Sequence, residues 1–156
     1  MKKEAIFAAG CFWGIQDTLD KLKGVTLTEA GYTGGHKEHP SYEDVCTENT
    51  GHAESVRVEF DDEQITYEKL LGAFWNMHDL TQMNRQGPDV GSQYRSAIFY
   101  KDDAQKQIAE TSKQNITDSK KLDKEVVTEI TQASAWWPAE DYHQKYFEKH
   151  PGKKIC

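Results

Sequence analysis

Cys11 stands in "GCFWG" (residues 10–14), a thiol followed directly by two large aromatics and bounded on both sides by glycine. The thiolate is the reactive form of cysteine, and at its ordinary pKa of about 8.5 only a few per cent is ionised at neutral pH. The apolar stretch Glu4–Ala9 precedes it. After it, Phe12, Ile15, Leu19 and Leu22 recur at helical spacing until Gly24. This pattern predicts a strand, then a helix, with Cys11 at the helix N-terminus. Unpaired N–H groups and roughly half a positive charge at that end favour a thiolate. Gly10 permits a tight turn into the helix. Gly14, in the first turn, costs about 1 kcal/mol relative to alanine, which points to space wanted beside the thiol. Phe12 falls on the apolar face and Trp13 does not, so Trp13 is expected to stand free near the sulfur as an apolar wall. On these residues alone, a reacting thiol and a structural cysteine between core aromatics are equally good readings.

The whole chain narrows the setting. Its 156 residues suit one catalytic domain, 1–156, with residues 150–156 expected to form a mobile C-terminal tail. Nineteen basic against 26 acidic residues give a net charge of −7, which argues against a nucleic-acid partner. Nothing reads as a signal peptide or a membrane helix, so no membrane partner and a cytoplasmic location are expected. Three widely spaced cysteines do not make a disulfide scaffold and are expected as thiols in a reducing compartment.

The remaining elements follow from periodicity. Val25–Thr33 reads as a strand, and "GGHKEHPSYEDVCTENTGH" (34–52) as a long polar loop of the kind that carries function. "AESVRVEF" (53–60) alternates as a strand, and "TYEKLLGAFWNMHD" (66–79) has the pattern of a helix capped by Thr66. A second long loop (80–93) leads to the strand "YRSAIFY" (94–100), and residues 102–119 form a charged, peripheral helix. "EVVTEI" (125–130) reads as a strand and "PAEDYHQKYFEKH" (138–150) as a last helix begun by Pro138. The expected fold is α+β: a two-layer sandwich with a mixed sheet, helices mainly on one face, and a ferredoxin-like split β-α-β core.

"GCFWG", "GYTGG" (31–35), "YEDVCTENTGHAE" (42–54), "NRQGPDVGSQYRSAIFY" (84–100) and "AEDYHQKYF" (139–147) together resemble, in order and spacing, blocks of the A-class peptide methionine sulfoxide reductases. That family acts on the S epimer of methionine sulfoxide, free or in oxidised proteins. The reaction needs a nucleophile for sulfur, an acid and hydrogen-bond donors for oxygen, and an apolar seat for the methyl group. The resemblance implies that Cys11 is the nucleophile, Phe12 and Trp13 the methyl seat, and Glu54 the acid. Tyr42 and Tyr94 match the tyrosines that bond the sulfoxide oxygen, and Asp89 an auxiliary residue acting through water. Tyr32 and His143 read as structural supports. Without the resemblance, Glu54 is a solvated strand-start residue and Asp89 a turn residue.

The resemblance also implies a Cys11 sulfenic acid, then a disulfide with a second thiol and reduction by thioredoxin, with no cofactor. Cys156 is the resolving thiol expected, although "PGKKIC" departs from the family's Gly-Tyr-Cys tail. Cys46 reads equally as a small buried hydrophobe or as a redox partner. A monomer is expected. Three other readings stay open on the residues: a metal site at "HKEH" (36–39), a cysteine hydrolase using His52, His78 or His143 as base, and a binding domain anchored by Phe12 and Trp13.

Overall fold

The computed structural model describes residues 1–119 and 121–151. In chain order the elements are β1 (Lys2–Ala9), α1 (Phe12–Asp20), β2 (Val25–Thr33), α2 (Tyr42–Cys46), β3 (Ala53–Asp61), α3 (Tyr67–Asn76), β4 (Arg85–Gln86) and β5 (Asp89–Val90). Then come β6 (Ser96–Tyr100), α4 (Asp103–Ser119), β7 (Glu129–Gln132), β8 (Trp137–Pro138) and α5 (Tyr146–Lys149). Single 3₁₀ turns precede β6 (Ser92–Tyr94) and α5 (Asp141–His143). Six strands form one sheet in the order β7-β6-β1-β3-β2-β8, and β4 with β5 makes a separate hairpin. β1 is antiparallel to both β3 and β6, β3 to β2, and β2 to β8. Only β7 runs parallel to its neighbour, so the sheet is mixed, as expected.

Alternation in the strands sorts their side chains to the two faces. Ala5, Phe7 and Ala9 of β1, with Val56, Val58 and Phe60 of β3, face a core closed by Ile15 and Leu19 of α1 and by Leu70, Leu71 and Phe74 of α3. Each of the valine, leucine, isoleucine and phenylalanine side chains contributes about 1.5–3 kcal/mol on burial, and this layer therefore fixes α1 against the sheet. Ile6, Ala8, Ala53, Ala97 and Phe99 face the other way, packed by Ala133 and Trp136. α4 lies at the periphery and buries only Gln105 and Ala109, as its charged composition foretells.

Three segments depart from expectation. The loop 34–52 contains the short helix α2, begun by a capping box in which Ser41 and Asp44 bond each other's backbone N–H. β7 starts at Glu129, four residues later than its apolar run suggests, because Val127 N–H is already spent on Leu80 O at 2.8 Å. The helix expected over 138–150 is broken up. Pro138 belongs to β8, residues 141–143 form the 3₁₀ turn, and Lys145 has a left-handed φ of +52° that ends any helix before α5. Most of the expected tail, including Cys156, lies outside the described residues. Among the described residues no helix is long and apolar enough to cross a membrane.

Candidate active site

The site forms where β1 runs into α1. Gly10 has φ +97°, and a Cβ there would come within 2.9 Å of the Gln86 side chain, so glycine serves both the turn and the close approach. Cys11 follows in an extended conformation as the N-cap residue of α1, and Phe12 opens the helix. Carrying the β1–β3 register two residues past the Phe7–Val56 pair brings Glu54 opposite Ala9. β1 pairs with β6 as far as Ala9–Ser96, and Tyr94 lies in the 3₁₀ turn just before that strand. The sheet thus brings the Glu54 carboxyl to the first N–H of the helix that Cys11 begins.

Glu54 is only 1% exposed. Its Oε1 accepts the Phe12 N–H at 3.2 Å, while Oε2, also buried, has no hydrogen-bond partner among the described residues. Burial pushes the carboxyl up to about pH 8; the Phe12 N–H bond opposes this and the negative charge of Asp89 adds to it. A solvated strand-start residue is therefore not what Glu54 is. At neutral pH it holds a proton, and among the described residues Oε2 has no partner to give it to.

Tyr42 is the first residue of α2, and its N–H is held by Glu140 Oε2 at 2.9 Å. The other Glu140 oxygen accepts the Tyr32 hydroxyl at 2.8 Å, so Tyr32 supports the loop from below. Burial raises the hydroxyl pKa of Tyr42, and that of Tyr94 to about 12, and the charge of Glu54 adds to both. Both phenols stay protonated and able to donate. Asp89 lies in the β4–β5 hairpin, half-buried, and shares a cleft wall with Cys11. Burial raises its carboxyl pKa too.

Phe12 is fully buried, with its ring 5.6 Å from Tyr32 and 5.0 Å from His143. Trp13 does not stand free. Its ring stacks on Tyr146 at 3.7 Å, nearly parallel, and its indole N–H donates to His143 Nδ1 at 2.9 Å. An indole nitrogen can only donate, so Nδ1 must accept and the His143 proton sits on Nε2. Burial, which lowers the His143 pKa, agrees with this neutral ring. Nε2 is buried with no hydrogen-bond partner among the described residues. The roles of His143 and Glu140 were not legible in spacing: Glu140 is 98 residues from Tyr42 and His143 130 from Trp13.

Cys46 is exposed, not a hydrophobe buried below the loop. Cys156 lies outside the described residues. Among the described residues no group of three His, Cys, Asp or Glu could hold a metal ion, and His39 of the "HKEH" pair packs on Trp137. The histidines weighed as bases are committed elsewhere. His52 accepts Gly35 N–H and contacts Lys37 O at 2.8 Å. His78 lies between Phe74 O and Ser96 Oγ, at 2.9 and 2.7 Å, and His143 serves Trp13.

Comparisons with known proteins match the chain over nearly its whole length. The family model described as "Peptide methionine sulfoxide reductase" matches residues 3–156. Peptide methionine sulfoxide reductase MsrA of Methanosarcina mazei is 55% identical over 147 residues, covering 94% of this chain and 70% of that one. Among solved structures, the reduced form of Mxr1 from Saccharomyces cerevisiae superposes with a TM-score of 0.87 at 31% identity, over 99% of this chain and 89% of that one. Mxr1 in complex with Trx2 shares the fold, with a TM-score of 0.59 at 22% identity over 93% of this chain and 84% of that one. With these matches over nearly its whole length, the chain belongs to the peptide methionine sulfoxide reductase family.

Proposed function

We propose that the protein reduces the S epimer of methionine sulfoxide to methionine through Cys11, with Glu54 as the acid. The observation that carries this reading is the buried Glu54, protonated at neutral pH, with an unpartnered Oε2 beside the N-terminus of the helix that Cys11 begins. The Cys11 thiolate attacks the sulfoxide sulfur. Glu54 gives its proton to the oxygen, which Tyr42 and Tyr94 polarise by donation, and Phe12 and Trp13 seat the methyl group. Oxygen passes to Cys11 as a sulfenic acid and methionine leaves. Asp89 acts through water and, by its charge, helps to keep the Glu54 proton in place.

A second thiol then condenses with the sulfenic acid, and Cys156 is the one we assign. A thioredoxin-type dithiol reduces the resulting disulfide, as the association of Mxr1 with Trx2 suggests. This thiol chemistry asks for no metal or cofactor, and a reducing compartment, the cytoplasm, suits it. Substrates are oxidised proteins and free methionine sulfoxide. The test is chiral: both sulfur epimers of an N-blocked methionine sulfoxide are given with excess dithiothreitol, beside Cys11→Ser. Loss of the S epimer alone, with the unaltered protein alone, is expected. Equal loss of both epimers, or turnover by Cys11→Ser, contradicts the reading. In the absence of reductant, one turnover should consume two thiols, and only one in Cys156→Ser.

A further inference from the structure

The buried Phe12 ring lies against Tyr32 at 5.6 Å and His143 at 5.0 Å, and Tyr42 meets the same His143 ring at 4.6 Å. These rings come from β2, α2 and the 3₁₀ turn Asp141–His143, segments far apart in the chain. One half-buried residue reaches all three. Glu140 Oε1 accepts the Tyr32 hydroxyl at 2.8 Å, and Oε2 accepts the Tyr42 N–H at 2.9 Å. Its backbone oxygen accepts the His143 N–H at 2.9 Å and so closes the turn that carries the imidazole. That imidazole in turn holds the Trp13 indole.

We propose that Glu140 is a positioning residue. By tying Tyr32, Tyr42 and the His143 turn together, it sets the spacing of the rings around Phe12, and with it the size of the alkyl group on sulfur that the enzyme accepts. The inference rests on the reading above in which Phe12 and Trp13 seat the methyl group.

Packing alone leaves that spacing loose, because aromatic pairs are favourable with centroids anywhere from about 4.5 to 7 Å apart. Hydrogen bonds are not so tolerant: an N–H or O–H donor is held to its acceptor within a few tenths of an ångström. Both side-chain partners of Glu140 are donors, and the Tyr42 N–H, at the first position of α2, has no acceptor within its own helix. Two donors call for two acceptor oxygens, which an ionised carboxylate supplies. Burial works against that charge, but the bonds from Tyr42 and Tyr32 outweigh it and hold the Glu140 carboxyl below the usual carboxylate range. In an apolar seat whose walls are fixed in this way, one methylene more or less changes selectivity by about 10–200-fold.

The S-sulfoxides of N-blocked methionine and N-blocked ethionine differ by one methylene on sulfur, and the full chain is given each with excess dithiothreitol. The unaltered protein should prefer the methyl compound in kcat/KM by about tenfold or more. Glu140→Ala should cut that preference by about threefold or more, through KM rather than kcat. Glu140→Gln keeps an oxygen for the Tyr42 N–H and an amide N–H for the Tyr32 oxygen, and should hold the preference within about twofold of the unaltered value. A chain merely loosened as a whole loses activity on both compounds and keeps their ratio. Tyr32→Phe removes one tie, leaves the ring, and should cut the preference by a smaller factor. An unchanged ratio in Glu140→Ala or, where that chain does not fold, in Tyr32→Phe overturns the inference, as does an equal loss in Glu140→Gln. Equal use of both compounds by the unaltered protein overturns instead the reading of Phe12 and Trp13 as the methyl seat.

Discussion

The elbow at Gly10–Phe12 and the segment Trp137–His150 both build the site, by opposite means. At the elbow the backbone does the positioning: strand register brings Glu54 opposite the end of β1, and the first helical N–H donates to Glu54 Oε1. In the C-terminal segment, side chains do the work of backbone. β8 pairs with β2 over only two residues. Beyond it, the Gln144 amide takes the place of a strand, accepting from Ala30 N at 2.8 Å and donating to Ala30 O at 2.8 Å. Gln16 Oε1 in turn accepts Lys145 N–H at 2.8 Å, so α1 itself anchors the segment that holds Trp13 through His143 and Tyr146. Chemistry sits on regular elements, and the aromatic seat is held by an irregular clamp.

This division can be broken by substitution. Cys11→Ser should lower methionine release by about 10⁴-fold or more, while its melting temperature stays within a few degrees, because serine is itself a good N-cap. Glu54→Gln should slow the first turnover by about 10²–10⁴-fold, the range lost with a positioned acid. It should also stabilise the fold at high pH. Glu54 is raised from 4.5 to about 8 in the folded chain, so between these values the unfolded chain ionises first and stability falls as pH rises. The amide removes that slope, and urea unfolding at pH 5 and pH 8.5 measures the difference.

Gln144→Ala tests the clamp. Its expected cost is about 1–3 kcal/mol of stability from the unpaired Ala30 groups, with a raised KM and a smaller change in kcat. A loss of kcat as large as that of Glu54→Gln would mean that the two regions do not divide the labour in this way. The smallest effect is expected of Cys46→Ser, whose exposed thiol should leave first-turnover methionine release within about twofold of the unaltered rate.

The elbow was legible because its information is local. The helical spacing from Phe12 to Leu19, the apolar run before it and the flanking glycines place Cys11 within a residue of where it lies. Alternation in 53–60 likewise gives β3, but not the depth at which Glu54 lies, which depends on α1 packing over the end of the strand. α2 had a readable signal in Ser41 and Asp44, three apart, though only one turn of helix follows. The clamp was misread for a physical reason. Its composition suits a helix, and the competing partner of Gln144 is a strand edge more than a hundred residues away. The same distance hid the His143–Trp13 bond, and with it the fact that Trp13 is held in place.

The most direct test of the account is the pH dependence of the first turnover, taken from pH 6 to pH 10 in the unaltered protein and in Glu54→Gln. If Glu54 is the acid, the unaltered rate must fall with a slope approaching tenfold per pH unit above about 8, as the carboxyl loses its proton, and Glu54→Gln must lack that limb. The same alkaline fall in Glu54→Gln would show that the proton comes from another group.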